Sequence, residues 1–193
     1  PCSCCYIGLS ITMKTYSNIA FIIICSLAMQ AANAQKVLVL KSHLIAYKVK
    51  NAGFNSSGQF DKMTASVVFD EENLDKSMIS ATLLVSSFNS GIRLRDKHLK
   101  SEDYFDLQKY PTITLISTKI ARTKDGYLGT FDLMIKAVTK SIQLPFTVTK
   151  NGGISIFKAN ELVIDRLIYG LGKASLTLGN TVYLNLEATF TNE

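Results

Sequence analysis

Residues 181–190 read Thr-Val-Tyr-Leu-Asn-Leu-Glu-Ala-Thr-Phe, and every second position is apolar. Val182, Leu184, Leu186, Ala188 and Phe190 share one face; Thr181, Tyr183, Asn185, Glu187 and Thr189 share the other. A period of two belongs to an extended chain whose successive side chains point to opposite sides, so this stretch is a strand with one buried face. The same alternation sets Ile45, Tyr47 and Val49 against Ala46, Lys48 and Lys50. Comparable runs cover 59–69, 79–88, 112–120, 127–136, 141–148 and 154–164, which makes about eight strands. Between them stand turn signals: Asp70-Glu71-Glu72-Asn73, Lys124-Asp125-Gly126, Asn151-Gly152-Gly153 and Gly179-Asn180.

Strands joined by such short turns run antiparallel, and a sheet of this size either forms a sandwich or closes on itself. Closure removes the exposed edges, so the expected fold is all-β, a single antiparallel barrel. With about eight strands the interior is wide enough either to be filled by side chains or to hold one small ligand. Patterning leaves both open. The inward set read from the alternation is Tyr47, Val49, Phe60, Phe69, Leu83, Val85, Leu115, Phe131, Leu133, Leu144, Phe146, Leu184 and Leu186. The same residues serve a filled core or a ligand cavity.

The segment 89–111, NSGIRLRDKHLKSEDYFDLQKYP, breaks the pattern. It is polar, lacks a period of two, and places Leu94, His98 and Leu99 on one face of a short helix. A connection of this length inside a compact domain packs over something or works as a lid. Ile92, Leu94, Leu99, Tyr104 and Phe105 are expected to cover one end of the barrel, while Arg95, Asp96 and His98 fasten the segment by hydrogen bonds at the barrel mouth.

The N-terminal part reads differently. Met13 and Lys14 precede the apolar run Ile19 to Met29, and Ala32-Asn33-Ala34 follows. The run is too short for a membrane span of roughly 20 residues but matches a signal-peptide core of about 7 to 15. The expectation is therefore a start at Met13, cleavage before Gln35, and a periplasmic or secreted domain of residues 35–193 with no integral span. Cys2, Cys4, Cys5 and Cys25 all fall in the discarded part, so the domain must hold together without disulfides.

The 193 residues carry 21 Lys plus Arg against 15 Asp plus Glu, a net charge of +6. The basic residues are scattered and no Trp is present, which argues against a nucleic-acid partner. No Gly-x-Ser-x-Gly elbow occurs, and only His43 and His98 could serve as imidazole bases or ligands. That is too few for a metal site, so no catalytic residue, metal or cofactor is expected. Asp165-Arg166, like Arg95-Asp96, reads as a loop tie, or more sharply as a polar group facing a ligand.

Taken in order, several motifs resemble the YceI-like family of secreted lipid-binding proteins. They are Ser42-His43, Gly58-x-Phe60, Phe69-Asp70, Arg95-Asp96-x-His98-Leu99, Asp103-Tyr104-Phe105-Asp106, Lys109-Tyr110-Pro111-Thr112-Ile113-Thr114, Ser117-Thr118, Asp132-Leu133-x-Ile135-x-x-Val138-Thr139-Lys140, and Asp165-Arg166 with Tyr169-Gly170. Asn51 stands where that family often has a second His, and Ala137 where it often has Gly. The resemblance implies a lipocalin-like barrel whose apolar cavity takes a polyisoprenoid or another long-chain lipid, without shared catalytic residues. The function expected is carriage or storage of such a lipid in the envelope. An envelope interaction module with a filled barrel, and an enzyme acting on a lipid, are the alternatives; the oligomeric state, a homodimer included, is left open.

Overall fold

The computed structural model describes residues 37–192. The expected leader, with Met13, Cys25 and Ala32-Asn33-Ala34, lies outside them. Ten strands follow in order: β1 (Val37–Asn51), β2 (Phe54–Phe60), β3 (Met63–Val68), β4 (Met78–Leu84), β5 (Phe88–Asn89), β6 (Thr112–Thr123), β7 (Gly126–Ile135), β8 (Val138–Asn151), β9 (Ile154–Asp165) and β10 (Leu178–Asn192). All neighbours are antiparallel, and β10 returns to pair with β1, which closes the sheet in the order β1-β10-β9-β8-β7-β6-β4-β3-β1. The closed barrel expected from the alternation is the fold observed.

Two expected strands are interrupted. The run 59–69 is the end of β2 and all of β3, separated by Asp61 and Lys62. On β1, Ile45 faces Phe60 and Leu38 faces Val67, so both pieces keep one register with β1 across the break. Between these points the ladder from β1 to β3 is open, and on its other edge β1 has a bulge between Leu40 and Ser42. A bulge adds local twist, which swings β1 away from β3. The run 79–88 is likewise β4, a 3-10 turn over Val85–Ser87, and β5. Counting each interrupted pair as one strand gives the eight-membered ring.

Because consecutive strands alternate direction, the connections sort to two ends. One end carries the turns at 69–77, 124–125 and 152–153; the other carries 52–53, the segment 90–111, the turn at 136–137 and the segment 166–177. Within 90–111 the expected short helix is α1, Arg93–Leu99. Leu99, Tyr104 and Phe105 turn inward, as expected, whereas Ile92 and Leu94 are exposed at 53% and 79%. α1 has under two turns, so only one narrow stripe of it can face the barrel, and Leu99 occupies that stripe.

The segments of this second end are tied to one another. Ala52 N–H donates to Thr177 O (2.8 Å), and Gly172 N–H donates to Asp103 O (2.8 Å). Arg166 follows β9 and is only 4% exposed. It donates to the carbonyls of Leu171 (2.6 Å), Lys173 (2.8 Å), Gly179 (2.9 Å) and Leu178 (3.3 Å), and to Asn180 Oδ1 (3.3 Å). Asp165, its neighbour, caps Leu167 N–H (2.9 Å) instead of pairing with it. The guanidinium thus does for a folded-back loop what a ladder does for a strand. Arg166→Ala should leave several buried carbonyls without donors and cost about 3 kcal/mol in chemical denaturation; a cost below about 1 kcal/mol would contradict this role.

Candidate functional site

The barrel interior is not uniform along its axis. At the end carrying the short turns, Phe69 stands edge-on to Tyr127 (5.0 Å between ring centroids) and Phe157 (5.3 Å), and Phe157 stands edge-on to Phe190 (5.3 Å). Tyr127 stacks on Phe146 (5.4 Å). Offset and edge-to-face pairs of this kind add to simple burial, so the cluster is a solid plug.

Above the plug lies a cavity of about 330 Å³. Its wall is apolar because inward positions of every long strand supply it: Ile45 and Val49 of β1, Leu115 of β6, Leu133 and Ile135 of β7, Leu144 of β8, Leu184 and Leu186 of β10. It is hollow because Ala65, Ala81, Ala159 and Ala188 stand where larger side chains would fill it. Among the predicted inward residues, Tyr47, Val49, Phe60, Leu83, Leu115, Phe131, Leu133, Leu144, Phe146, Leu184 and Leu186 line this space. Phe69 and Val85 do not. Phe69 belongs to the plug, and Val85 sits in the 3-10 turn, where alternation no longer sets direction and the side chain is fully buried in the wall.

Among the lining residues outside the inward set, those of β9 lie on both sides of a break in the alternation. On β9, Phe157 and Ala159 face inward, and so do Leu162 and Ile164, so the parity changes between them. Asn185 of β10 lies opposite two β9 residues there, and Glu161 has φ 56°. This is a bulge, and a period-of-two reading carried through it finds one half of the strand only. Asn185 Oδ1 accepts from Glu161 N–H (3.2 Å), which holds the bulge.

Polar groups gather at the other end of the cavity, where Asn51, Ser56, Arg95, His98 and Arg166 border it. Lys158 and Glu187 also border it, but they belong to the wall and pair outside at 3.4 Å. Arg95 reaches from α1 to the barrel: Nη1 donates to Ser56 Oγ (2.7 Å) and Nη2 to Ser57 O (3.4 Å) and Ser90 O (2.8 Å). Asp96 accepts from Ser90 N–H (2.9 Å) and from the Ser90 hydroxyl, tying the entry of α1 to the turn before it. Arg95 therefore fastens the segment to β2, and Asp96 fastens it to itself. His98 is exposed, and its ring stands edge-on to Tyr104 at 4.9 Å. His43 pairs with Ala188 on the inward-facing side of β1 but does not border the cavity.

Among the described residues that border the cavity, Tyr47 alone has a buried side-chain polar atom with no hydrogen-bond partner. Its ring stacks on Phe88 (5.3 Å) and lies over Gly58, where an added Cβ would sit 2.6 Å from the ring. Its hydroxyl is buried and has no hydrogen-bond partner of good geometry, with the Ser56 hydroxyl its nearest candidate. Burial pushes the phenol above its ordinary pKa, with the Arg95 guanidinium working in the opposite direction. Among the described residues no three of His, Cys, Asp and Glu lie where they could share a metal ion.

An antiparallel barrel, plugged at one end and bordered by polar groups at the other around an apolar cavity, has the architecture of the lipocalin-like proteins. Residues 33–190 match the YceI-like domain family, and the chain belongs to that family. Relatives include a UPF0312 protein of Photorhabdus laumondii, 31% identical over 59% of this chain and 60% of that one. A UPF0312 protein of Vibrio campbellii is 35% identical over 52% and 54%. The chain thus spans under two thirds of the length of these relatives. Among solved structures, Burkholderia cenocepacia BcnA superposes with a TM-score of 0.72 at 25% identity, over 76% of this chain and 95% of that one. A polyisoprenoid binding domain from Saccharophagus degradans superposes with a TM-score of 0.62 at 14% identity, over 82% and 99%. That last likeness is one of fold.

Gly129 tests how closely the cavity wall is built. A Cβ there would lie 2.2 Å from the Phe131 ring, which covers the glycine. Gly129→Ala should force that ring off the wall, at about 1 to 3 kcal/mol of overpacking strain, read by thermal denaturation. An unchanged melting temperature would mean that the ring has room to spare.

Proposed function

We propose that this protein binds a polyisoprenoid or another long-chain amphiphilic lipid in its barrel and carries or stores it, without catalysis, in the cell envelope. The observation that carries this reading is the apolar cavity of about 330 Å³, plugged at one end and polar at the other. That volume is within the range of about 300–1,000 Å³ usual for small-molecule sites. The fold shared with a polyisoprenoid binding domain supports the same ligand class. A chain-like apolar guest suits an apolar cavity, since each five-carbon isoprene unit gains about 4 kcal/mol gross on burial before the costs of ordering. The head of such a guest would stay at the throat, where the Tyr47 hydroxyl has a proton to donate and Arg95 supplies positive charge.

A filled-barrel module accounts for the plug but not for the alanines that keep the middle open. A lipid-modifying enzyme needs a nucleophile or base aimed inward. Here the Ser56 hydroxyl already accepts from Arg95, and His98 packs on Tyr104. Placement in the envelope rests on the leader-like residues 13–34 alone, so protein recovered from its native host should begin at Gln35. A lipidated N-terminal Cys25 would replace this picture with a membrane anchor.

Ala159 is 4% exposed and borders the cavity. Ala159→Phe should fill part of that space, abolish co-purification of lipid detected by mass spectrometry of solvent extracts, and cost about 1 to 3 kcal/mol of stability. A folded Ala159→Phe variant that retains its lipid load would overturn the cavity assignment.

A further inference from the structure

The three most exposed large apolar side chains among the described residues are Leu176 (107%), Phe54 (79%) and Leu94 (79%); the next, Val163, is 55% exposed. Scattered exposed apolar residues are ordinary on any surface. These are not scattered. Phe54 begins β2 beside the turn at 52–53, Leu94 lies on α1, and Leu176 lies in the segment before β10, so all three belong to the end of the barrel where the cavity meets its polar border. Their segments are also fastened together: Ala52 N–H binds Thr177 O at 2.8 Å, and Arg95 binds Ser56 at 2.7 Å. Loop tips held rigid with bare Phe and Leu side chains incur the cost of exposing apolar area without contributing to the core.

Base accompanies them. Arg93 and Lys97 flank Leu94 on α1, and Lys173 precedes Leu176; all three are exposed. Apolar side chains beside Lys and Arg are what an anionic lipid–water interface accepts, the former entering the acyl boundary and the latter staying among the headgroups. We infer that the mouth end of the barrel docks on an anionic lipid surface, with Phe54, Leu94 and Leu176 inserted and the cavity opening onto the bilayer. The inference shares the cavity with the lipid-binding reading, but the docking itself stands on the rim.

The chain contains no Trp, so a single introduced indole reports its own surroundings. In the full chain, Phe54→Trp or Leu94→Trp should shift its emission to the blue on vesicles of phosphatidylethanolamine and phosphatidylglycerol and be quenched by brominated acyl chains. Met78→Trp, at the opposite end and 51% exposed in the native residue, should show neither change. Phosphatidylcholine vesicles or high salt should weaken the response, because screening removes the charge contribution. Replacing Phe54 and Leu176 by Ser should lower the vesicle affinity reported by Leu94→Trp by at least about tenfold. Equal quenching of all three reporters would overturn the proposal by removing any preferred orientation. A blue shift without vesicles that grows with protein concentration would overturn it in favour of a second copy of the chain. Adding Ala159→Phe to a reporter should leave the response intact, so a failed cavity and a failed docking surface give different results.

Discussion

A twisted antiparallel sheet ends in two rows of amides and carbonyls that must find partners, and pairing β1 with β10 joins the two rows. The pairing runs almost the whole length of both strands, from Leu38 with Asn192 to Asn51 with Leu178. Once the ring is closed, the side chains of alternate residues have nowhere to point but inward. Everything placed inside, from the aromatic plug to the alanines, follows from that closure. Its demands also explain the bulges, since a ring of fixed circumference needs local corrections of twist.

Emptiness is the less obvious property. Packed interiors lose stability for each methylene that is missing, so a hollow middle is maintained only when the surrounding structure cannot collapse. Here the wall is a closed ring, unpaired only along part of the seam between β1 and β3, and its lower end is packed with aromatic rings. The upper end is held by Arg95 and Arg166, which donate to hydroxyl and carbonyl oxygens rather than to a carboxylate. Tyr169 shows what such rigidity costs. It is fully buried, its hydroxyl has no partner, and burial pushes its phenol above the ordinary pKa.

How much of this was visible in the residues depended on whether alternation persisted. β7 alternates without a fault from Tyr127 to Ile135; Phe131 and Leu133, which the inward set includes, border the cavity, and so does Ile135, which it omits. β9 alternates on both sides of Glu161 but with opposite parity, and nothing in Asn160-Glu161 announces the change. Val85 looked like one more inward strand residue until the chain turned into a 3-10 segment. Phe69 was read as inward, and it is; sequence says which side a residue faces, not how far along the axis it lies. The throat was half visible: Arg95 and His98 stood out in a segment without strand period and Arg166 in the pair Asp165-Arg166, whereas Ser56 gained its place only through tertiary contacts.

The open stretch between β1 and β3 bears on how the chain moves. From Val39 to Leu44, β1 is held by β10 alone, while the pairs at Leu38 and Ile45 pin both ends of the gap in one register. Amides of this stretch that face the gap have no cross-strand acceptor to protect them, so they should be among the first in the wall to exchange with solvent. A seam hinged at both ends can widen without losing register, much as a pleat opens in cloth that is stitched above and below. The barrel therefore has a built-in place to yield in girth while the pairs on either side of the seam hold.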